Sequence, residues 1–155
     1  PCRVWSSATA SASHLMKTTS SNGVYYLQRF VQCTGDGYSD YRVFVINKRA
    51  VAIMRRRGKS WLNNVARGAA CEAIDLDPAI ADIAVKAVKA LAMDYAGVDI
   101  IQDREGQYVV IEVNSIPAWK GLESVVNTSI ASILAEDLVN RYIKHNLPKA
   151  ISAVS

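Results

Sequence analysis

The fold of this chain is decided by the stretch Gly97–Gly121, GVDIIQDREGQYVVIEVNSIPAWKG. Two apolar runs, Gly97–Asp103 and Tyr108–Asn114, are separated there by the residues REGQ. Four-residue connections are common in β-hairpins, and Gly106 can adopt the positive φ that such turns often need. The stretch therefore predicts two antiparallel strands joined by a short loop.

The pairing of this hairpin follows from its loop. A four-residue loop pairs Asp103 with Tyr108. Counting back along the ladder places Asp99 opposite Glu112 and Gly97 opposite Asn114. Because side chains alternate with period two, Asp99, Glu112 and Asn114 share one face of the sheet. The residues predicted to point to the core on the other face are Val109, Ile111 and Val113.

Carboxylates that face each other across a ladder repel unless a positive charge neutralises them. Magnesium prefers oxygen ligands, takes one or two carboxylates and leaves room for phosphates. The pattern therefore predicts a magnesium site formed by Asp99, Glu112 and Asn114. On this interpretation Asp99→Asn should leave the fold intact or slightly more stable. The alternative is a solvated sheet face on which Glu112 pairs with an arginine, and both stay open.

Composition limits the class of protein. The chain has 155 residues, enough for one domain, and 50% of them are hydrophobic while 21% are charged. Its apolar runs are much shorter than the about 20 residues that a membrane helix needs. Three cysteines without metal-type spacing indicate reduced thiols in a cytoplasmic protein, and the net charge of +4 suits phosphate-bearing ligands. Because the chain begins with Pro1, we expect it to be processed or cut from a longer protein.

Further strands are predicted upstream. The β-branched and aromatic run at 24–31 is typical of a strand. The runs YRVFVIN and AVAIMRRR, connected at 48–49, predict a second hairpin. A short strand is expected at Glu72–Leu76.

Two helices complete the pattern. Asp77 as N-cap begins a helix that apolar residues at three- and four-residue spacing continue to about Tyr95. A second helix is predicted over about Thr128–Lys144, with Leu138 among its inward-facing residues. This order predicts an α+β domain with a mainly antiparallel sheet packed by two long helices. The expected divisions are a Ser- and Ala-rich lead at 1–23, the domain at 24–146 and a tail at 147–155.

Six motifs together resemble one family. In chain order they are LQRFV, SDYRVFVI, AVAIMRRR, NNVARGA, GVDI and IEVNSIPAWKGLE. Their order resembles the C-terminal half of the ATP-grasp carboxylate–amine ligases, specifically the RimK-like and LysX-like glutamate ligase group. The resemblance covers about residues 25–143. It implies the C-terminal ATP-grasp subdomain of a ligase in which ATP activates a carboxylate as an acyl phosphate that an amine then attacks.

The resemblance also implies cofactors and site residues. The cofactors are ATP and Mg²⁺, with room for two ions. By their match to the family, Asp99, Glu112 and Asn114 are the magnesium ligands. The nucleotide-contacting residues implied are Gln28, Arg29, Phe30, Val31, Asp40 and Asn64. The arginines implied for the reaction centre are Arg42, Arg55 and Arg67.

The sequence also departs from the family. Arg29 stands where relatives usually have an acidic residue, and Leu62 where they have an arginine. The lead at 1–23 shows none of the phosphate-binding lysines of the family's N-terminal subdomain. We therefore expect that part of the enzyme to be missing and the chain alone to be inactive or weak. After the asparagine, Ile116–Lys120 is similar to relatives associated with one-carbon pterin cofactors.

The implied partners are ATP, a small-molecule or peptide carboxylate and an amino-acid-like amine, with no membrane; homo-oligomer formation stays open. One alternative is a degenerate ATP-grasp domain without catalysis. A second is a basic nucleic-acid-binding module, an interpretation that the family resemblance disfavours. Alternation puts Arg55 and Arg57 on one face and Arg56 with Met54 on the other. The residues of the basic module would be Arg42, Arg49, Arg55, Arg56, Arg57 and Lys59.

Overall fold

The computed structural model describes residues 31, 33, 38–58 and 68–143. Apart from Val31, they belong to the second of two compact units into which the chain divides, Cys33–Ser155. The predicted lead at 1–23, the tail at 147–155 and the strand at 24–31 except its last residue lie outside the described residues. The division at 24–146 therefore stays a prediction.

Five strands of the described residues form one sheet in the order β3-β2-β1-β4-β5, and each neighbouring pair is antiparallel. This confirms the predicted α+β class with a mainly antiparallel sheet. The short strand expected at 72–76 starts two residues earlier than predicted. The strands are β1 (Tyr38–Ile46), β2 (Arg49–Gly58), β3 (Ala70–Ala73), β4 (Tyr95–Gln102) and β5 (Tyr108–Asn114).

The hairpin of β1 and β2 turns at Asn47 and Lys48, whose φ angles are 48° and 60°. Two consecutive residues with positive φ give the turn whose twist suits paired strands. The predicted hairpin is confirmed, but its connection at 48–49 was placed one residue late. The reason is that Asn47 tolerates the left-handed region and Arg49 already pairs with Ile46.

The first helix, α1 (Pro78–Ala90), begins where the sequence predicts. The Oδ1 atom of Asp77 accepts a hydrogen bond from the backbone N–H of Ala79 at 2.7 Å, which satisfies one free donor of the first turn. The predicted end near Tyr95 is wrong. Ala92 has a φ of 51° and turns the chain, so Tyr95 already begins β4.

The second predicted helix is confirmed in part. It consists of α3 (Ile130–Leu138), which continues as a π-helix at Val139–Ile143, and a short unpredicted helix, α2 (Lys120–Glu123), precedes it. Leu138 is 53% exposed, so the prediction that it faces inward is wrong. In a regular helix Leu138, eight residues after Ile130, lies about 80° around the axis from it, which places Leu138 at the edge of the inward-facing stripe. None of the helices in the described ranges has the length and apolar character that crossing a membrane would require.

Each face of the sheet carries its own hydrophobic core. Alternation along the strands sends successive apolar side chains to opposite faces, where different helices cover them. The first core lies between the sheet and α1 and consists of Val43, Val45, Ile53, Ile80, Ala84, Val88, Ala96, Val98 and Ile100. The second core includes one residue each of α2 and α3 and consists of Phe44, Ile46, Ala52, Met54, Leu122 and Ile130.

The hairpin of β4 and β5 reaches the predicted pairing by a different route. Its connection is one residue longer than predicted, so Gln102 rather than Asp103 faces Tyr108. A β-bulge then adds one residue on β5, at Ile111, and returns the ladder to the predicted register. The pairs found beyond the bulge are those predicted: Asp99 opposite Glu112 and Gly97 opposite Asn114.

The bulge also changes which β5 side chains face the core. Val110 and Val113 pack against the first core, whereas Val109 pairs with Ile101 before the bulge and lies on the other face. The prediction is therefore confirmed for Val113 and wrong for Val109. The simple alternation on which the prediction for Ile111 relied does not continue through the bulge.

Gly97 lies beneath the segment that follows β5. A β-carbon at this position would lie 2.7 Å from Cβ of Pro117, a residue that is fully buried. Two carbon atoms cannot approach so closely without displacing the backbone. Glycine is therefore required where the segment after Asn114 folds back over β4.

We expect Gly97→Ala to destabilise the protein by about 1–3 kcal/mol, the usual cost of extra volume in a packed region. Urea unfolding of the variant and the wild-type protein measures this difference. Pro117→Gly, which removes the clashing carbon, should be less harmful in the Gly97→Ala background than alone, because the two positions are in contact. A Gly97→Ala protein as stable as the wild type would contradict the close approach.

Candidate active site

The sheet face away from α1 is divided into an apolar and a charged part. Phe44 of β1 and Met54 of β2 belong to the second core, close to α2 and α3. Two residues away on the same strands and the same face are Arg42 and Arg56, and Asp40 follows on β1. Asp40 faces Arg56 directly across the ladder. The charged side chains of the two strands therefore adjoin beside the second core.

Two arginines hold Asp99 of β4. Arg42 donates from Nε to Oδ1 at 2.8 Å and from Nη2 to Oδ2 at 2.7 Å, and Nη2 of Arg56 lies 3.0 Å from the same Oδ2. Such two-point pairing of guanidinium with carboxylate is strong and directional. Asp99 is only 5% exposed. The charge of Asp99 is thus compensated inside the protein by arginine. This carboxylate does not need an added cation to neutralise it, contrary to what the sequence predicted.

Arg56 also reaches the carboxylate of Asp40. Its Nε donates to Oδ1 of Asp40 at 2.5 Å, and both residues are 4% exposed. Arg56 therefore joins an aspartate of β1 to an aspartate of β4. We call Asp40, Arg42, Arg56 and Asp99 the charge network; it contains two acidic and two basic side chains and is balanced in formal charge.

Burial has opposite effects on the acidic and basic members of the charge network. Burial raises the pKa of Asp40 from 3.8 to about 6, although the hydrogen bond and charge of Arg56 lower it. Burial also lowers the pKa of Arg56, but the nearby charges of Asp99 and Asp40 and their hydrogen bonds outweigh it and raise this pKa above the ordinary value. Arg56 therefore stays protonated, while Asp40 can gain a proton in mildly acidic solution.

The three predicted metal ligands lie at neighbouring positions on the charged face. Glu112 is paired with Asp99 in the ladder, and Asn114 is the next residue of β5 on that side. Glu112 is exposed, and Asn114 is half-buried with its Oδ1 accepting the backbone N–H of Ile116 at 3.0 Å. The structure thus brings the predicted set together on one face, with Glu112 exposed and Asp99 buried in contact with Arg42 and Arg56.

Arg55 lies on the opposite face from Arg42. It faces Tyr41 across the ladder, and Tyr41 packs against the first core. Its Nη2 donates to Oγ of Ser39 at 3.3 Å. Arg56, which the sequence prediction left out of the site, lies beside Asp99 instead. The signal was present in the sequence, since alternation along β2 places Arg56 with Met54 rather than with Arg55.

Several predicted site residues cannot be placed with this group. Val31 is described but belongs to the first compact unit. The predicted roles in nucleotide binding and in the reaction centre therefore stay predictions for the residues outside the described ranges, which are Gln28, Arg29, Phe30, Asn64 and Arg67.

The donor chemistry of the charged face suits magnesium. Glu112, Asn114 and Asp99 offer carboxylate and amide oxygens, the ligands that this ion prefers. Within the described ranges no group of three or more His, Cys, Asp or Glu side chains is arranged to hold a metal, so the amide of Asn114 is needed to complete a set of three. Both oxygens of Asp99 accept hydrogen bonds from arginine, so a metal ion would compete with Arg42 for them. The oxygen donors of the three residues have the chemistry that the ion prefers.

The fold is that of the ATP-grasp ligases. The ATP-grasp ligase PsnB in complex with its minimal precursor matches 73% of this chain and 36% of its own, with a TM-score of 0.57 and 27% identity. The same ligase in complex with a phosphomimetic variant of the minimal precursor, Mg and ADP matches 66% of this chain and 32% of its own, with a TM-score of 0.55 and 29% identity.

Within that class, the chain belongs to the RimK-like ATP-grasp domain family, whose model matches residues 4–138. The tetrahydromethanopterin:α-L-glutamate ligase of Methanocaldococcus jannaschii is 39% identical over 121 residues, which are 77% of this chain and 41% of that enzyme. The enzyme of the same name from Methanococcus maripaludis is 32% identical over 134 residues, 86% of this chain and 46% of that enzyme. The chain therefore spans less than half the length of these relatives.

We expect Asp99→Asn to destabilise the fold by about 3 kcal/mol, because removing one partner leaves buried guanidinium charge uncompensated. This reverses the expectation from the sequence. The matched variant Glu112→Gln changes an exposed carboxylate and should stay within about 0.5 kcal/mol of the wild type. Denaturant unfolding at pH 7.5 measures both, and equal stability of the two variants would contradict the buried network.

The raised pKa of Asp40 predicts an unusual pH dependence. The ordinary pKa of this carboxyl is 3.8 and its pKa in the folded protein is about 6. Between these two pH values, the folded protein keeps a proton on Asp40 that the unfolded chain releases. The stability that this proton contributes is therefore complete below about pH 4 and is lost as pH rises to about 6. A shift of this size corresponds to roughly 3 kcal/mol.

The free energy of unfolding should therefore fall more between pH 4 and pH 6.5 in the wild-type protein than in Asp40→Asn, which lacks the titrating group. Other carboxylates titrate in both proteins and cancel in the comparison. The same change in unfolding free energy in the two proteins would show that Asp40 titrates normally.

Proposed function

We propose that this chain provides the Mg-ATP-binding part of a carboxylate–amine ligase that adds glutamate to a carboxylate through an acyl phosphate. The observation that carries the proposal is the charged sheet face, where Asp99, Glu112 and Asn114 adjoin Arg42 and Arg56 in a chain of the RimK-like ATP-grasp family. Phosphoryl transfer of this kind needs positioning and charge neutralisation rather than a protein nucleophile.

The residues of this face have distinct proposed roles. Glu112 and Asn114, with an oxygen of Asp99, would hold magnesium, which neutralises the phosphates of ATP when bound. The side chain of Arg42 is 13% exposed, more than that of any other member of the charge network. A guanidinium in that position can donate paired hydrogen bonds to a transferred phosphoryl group. Arg67 would add a second such donor, as the family resemblance implies.

The substrates are proposed from the relatives. The curated relatives are named as glutamate ligases acting on tetrahydromethanopterin, and PsnB was solved with a precursor peptide. Glutamate is therefore the proposed amine, and the proposed acceptor is a carboxylate of a reduced pterin cofactor. Because the chain spans 41% and 46% of those enzymes, we propose that it is a weak catalyst by itself.

The structure disfavours the basic nucleic-acid module. Arg42 and Arg56 are committed to buried carboxylates, and Arg57 pairs with Glu72 at 3.1 Å. Binding of nucleic acid depends on cations that can replace counterions along the phosphate backbone. Two of the basic residues assigned to that surface, Arg42 and Arg56, are therefore already used inside the protein, and Arg57 is paired at the surface.

Calorimetric titration with Mg²⁺ and AMPPNP, a non-hydrolysable ATP analogue, tests the proposal. The wild-type chain should bind AMPPNP only with magnesium, and Glu112→Gln should weaken binding by about tenfold or more, since even indirect partners of metal ligands change affinity by about 10–100-fold. Glu105→Gln is the matched control, because it makes the same change at the exposed far end of the same hairpin.

Equal binding by the two variants, or equal binding in EDTA, would contradict the magnesium site. Turnover is a separate readout. Slow phosphate release from ATP that requires both glutamate and a tetrahydropterin carboxylate supports the ligase. Binding without any such release favours the degenerate, non-catalytic domain.

A further inference from the structure

Arg56 makes contacts that a simple core ion pair would not need. Its guanidinium spans two carboxylates on different strands, with Nε 2.5 Å from Asp40 on β1 and Nη2 3.0 Å from Asp99 on β4. Arg56 is on β2, which is adjacent to β1 but not to β4, because β1 lies between β2 and β4. The side chain therefore reaches across a whole strand to bring the two acids into one arrangement.

The two carboxylates have different proposed roles. Asp40 is the proposed nucleotide contact, and Asp99 is a proposed metal ligand. We propose that Arg56 is a positioning residue that couples these two roles. It holds the Asp99 carboxylate in the orientation that binds the metal only while Asp40 holds Arg56. This inference rests on the proposed function and adds to it a residue that acts through others.

The chemistry of arginine explains why one side chain can do this. The planar guanidinium presents Nε and Nη2 in fixed relative directions, so that holding one carboxylate also sets the orientation of the other. Lysine would supply the same charge as a single flexible point and would leave the relative orientation of the two acids unset. Replacing Arg56 with lysine thus separates its geometry from its charge.

The other arginine of the charge network has a different position. Arg42 donates to both oxygens of Asp99, whereas Arg56 approaches Oδ2. If Arg42 turns towards a phosphate, Oδ1 of Asp99 loses its donor, while Arg56 still holds Oδ2 and still pairs with Asp40. Arg56 can therefore keep the carboxylate oriented at the moment when one of its oxygens becomes available.

Binding of Mn²⁺ alone to the 155-residue chain, followed by electron paramagnetic resonance at pH 7.5, tests the inference without catalysis. We expect Arg56→Lys to raise the Mn²⁺ dissociation constant by about 10-fold to 100-fold, as loss of residues that orient metal ligands usually does. Arg57→Lys is the matched control, because this neighbour is exposed and pairs with Glu72 on the other face. Its dissociation constant should equal that of the wild type.

A second variant reports on the coupling with Arg56 left in place. Asp40 is not one of the proposed metal ligands, so if it acts only on the nucleotide, Asp40→Asn should leave the Mn²⁺ dissociation constant unchanged when no nucleotide is present. We expect this constant to rise, and we expect the effect of Asp40→Asn to disappear in the Arg56→Lys background, because the connection is then already lost. Near-UV circular dichroism checks that each variant is folded.

The outcomes separate this inference from the proposed function. Wild-type binding of Mn²⁺ together with unchanged binding by Asp40→Asn or by folded Arg56→Lys would overturn the positioning role and leave the metal site standing. Absence of Mn²⁺ binding by the wild-type chain would overturn the metal site itself, and the inference with it.

Discussion

The charged face of this sheet depends on one buried guanidinium. Arg56 lies between two carboxylates that are almost fully removed from water, and each of them would be costly to bury alone. Buried ion pairs add little net stability compared with an apolar core, but a broken pair is expensive. The network therefore acts as a constraint. It makes one arrangement of β1, β2 and β4 side chains much more favourable than its alternatives.

The same sheet face serves both stability and the site because its two parts are separated along the strands. Phe44 and Met54 are covered by the region of α2 and α3, and Arg42 and Arg56 follow two residues away on the same strands. The period of two keeps both sets on one face without mixing them. Packing under the helices can thus hold the strands rigidly while the charged part stays near solvent at Glu112, and rigid elements position reactive groups better than loops do.

The segment after β5 links these two parts. Pro117 packs over Gly97, and the backbone N–H of Ile116 donates to Asn114, so the chain leaving the site is held at two points. Trp119 follows and packs edge-on against Phe44 of the second core, with ring centroids 6.0 Å apart. The orientation of Asn114, a proposed metal ligand, is in this way connected to the packing of the second core. Gly97 makes this possible, because it leaves room for Pro117.

The sequence alone determined the fold class, the two hairpins, the start of α1 at its Asp77 cap and the family, because each depends on local patterns of periodicity, capping and motif order. It also predicted the pairing of Asp99 with Glu112. Only the tertiary structure showed that a longer loop and a bulge at Ile111 produce that pairing, since register depends on both strands. Only the structure showed that Arg42 and Arg56 neutralise Asp99, because charge compensation is set by contacts between residues 57 and 43 positions apart in the chain, which no local pattern records.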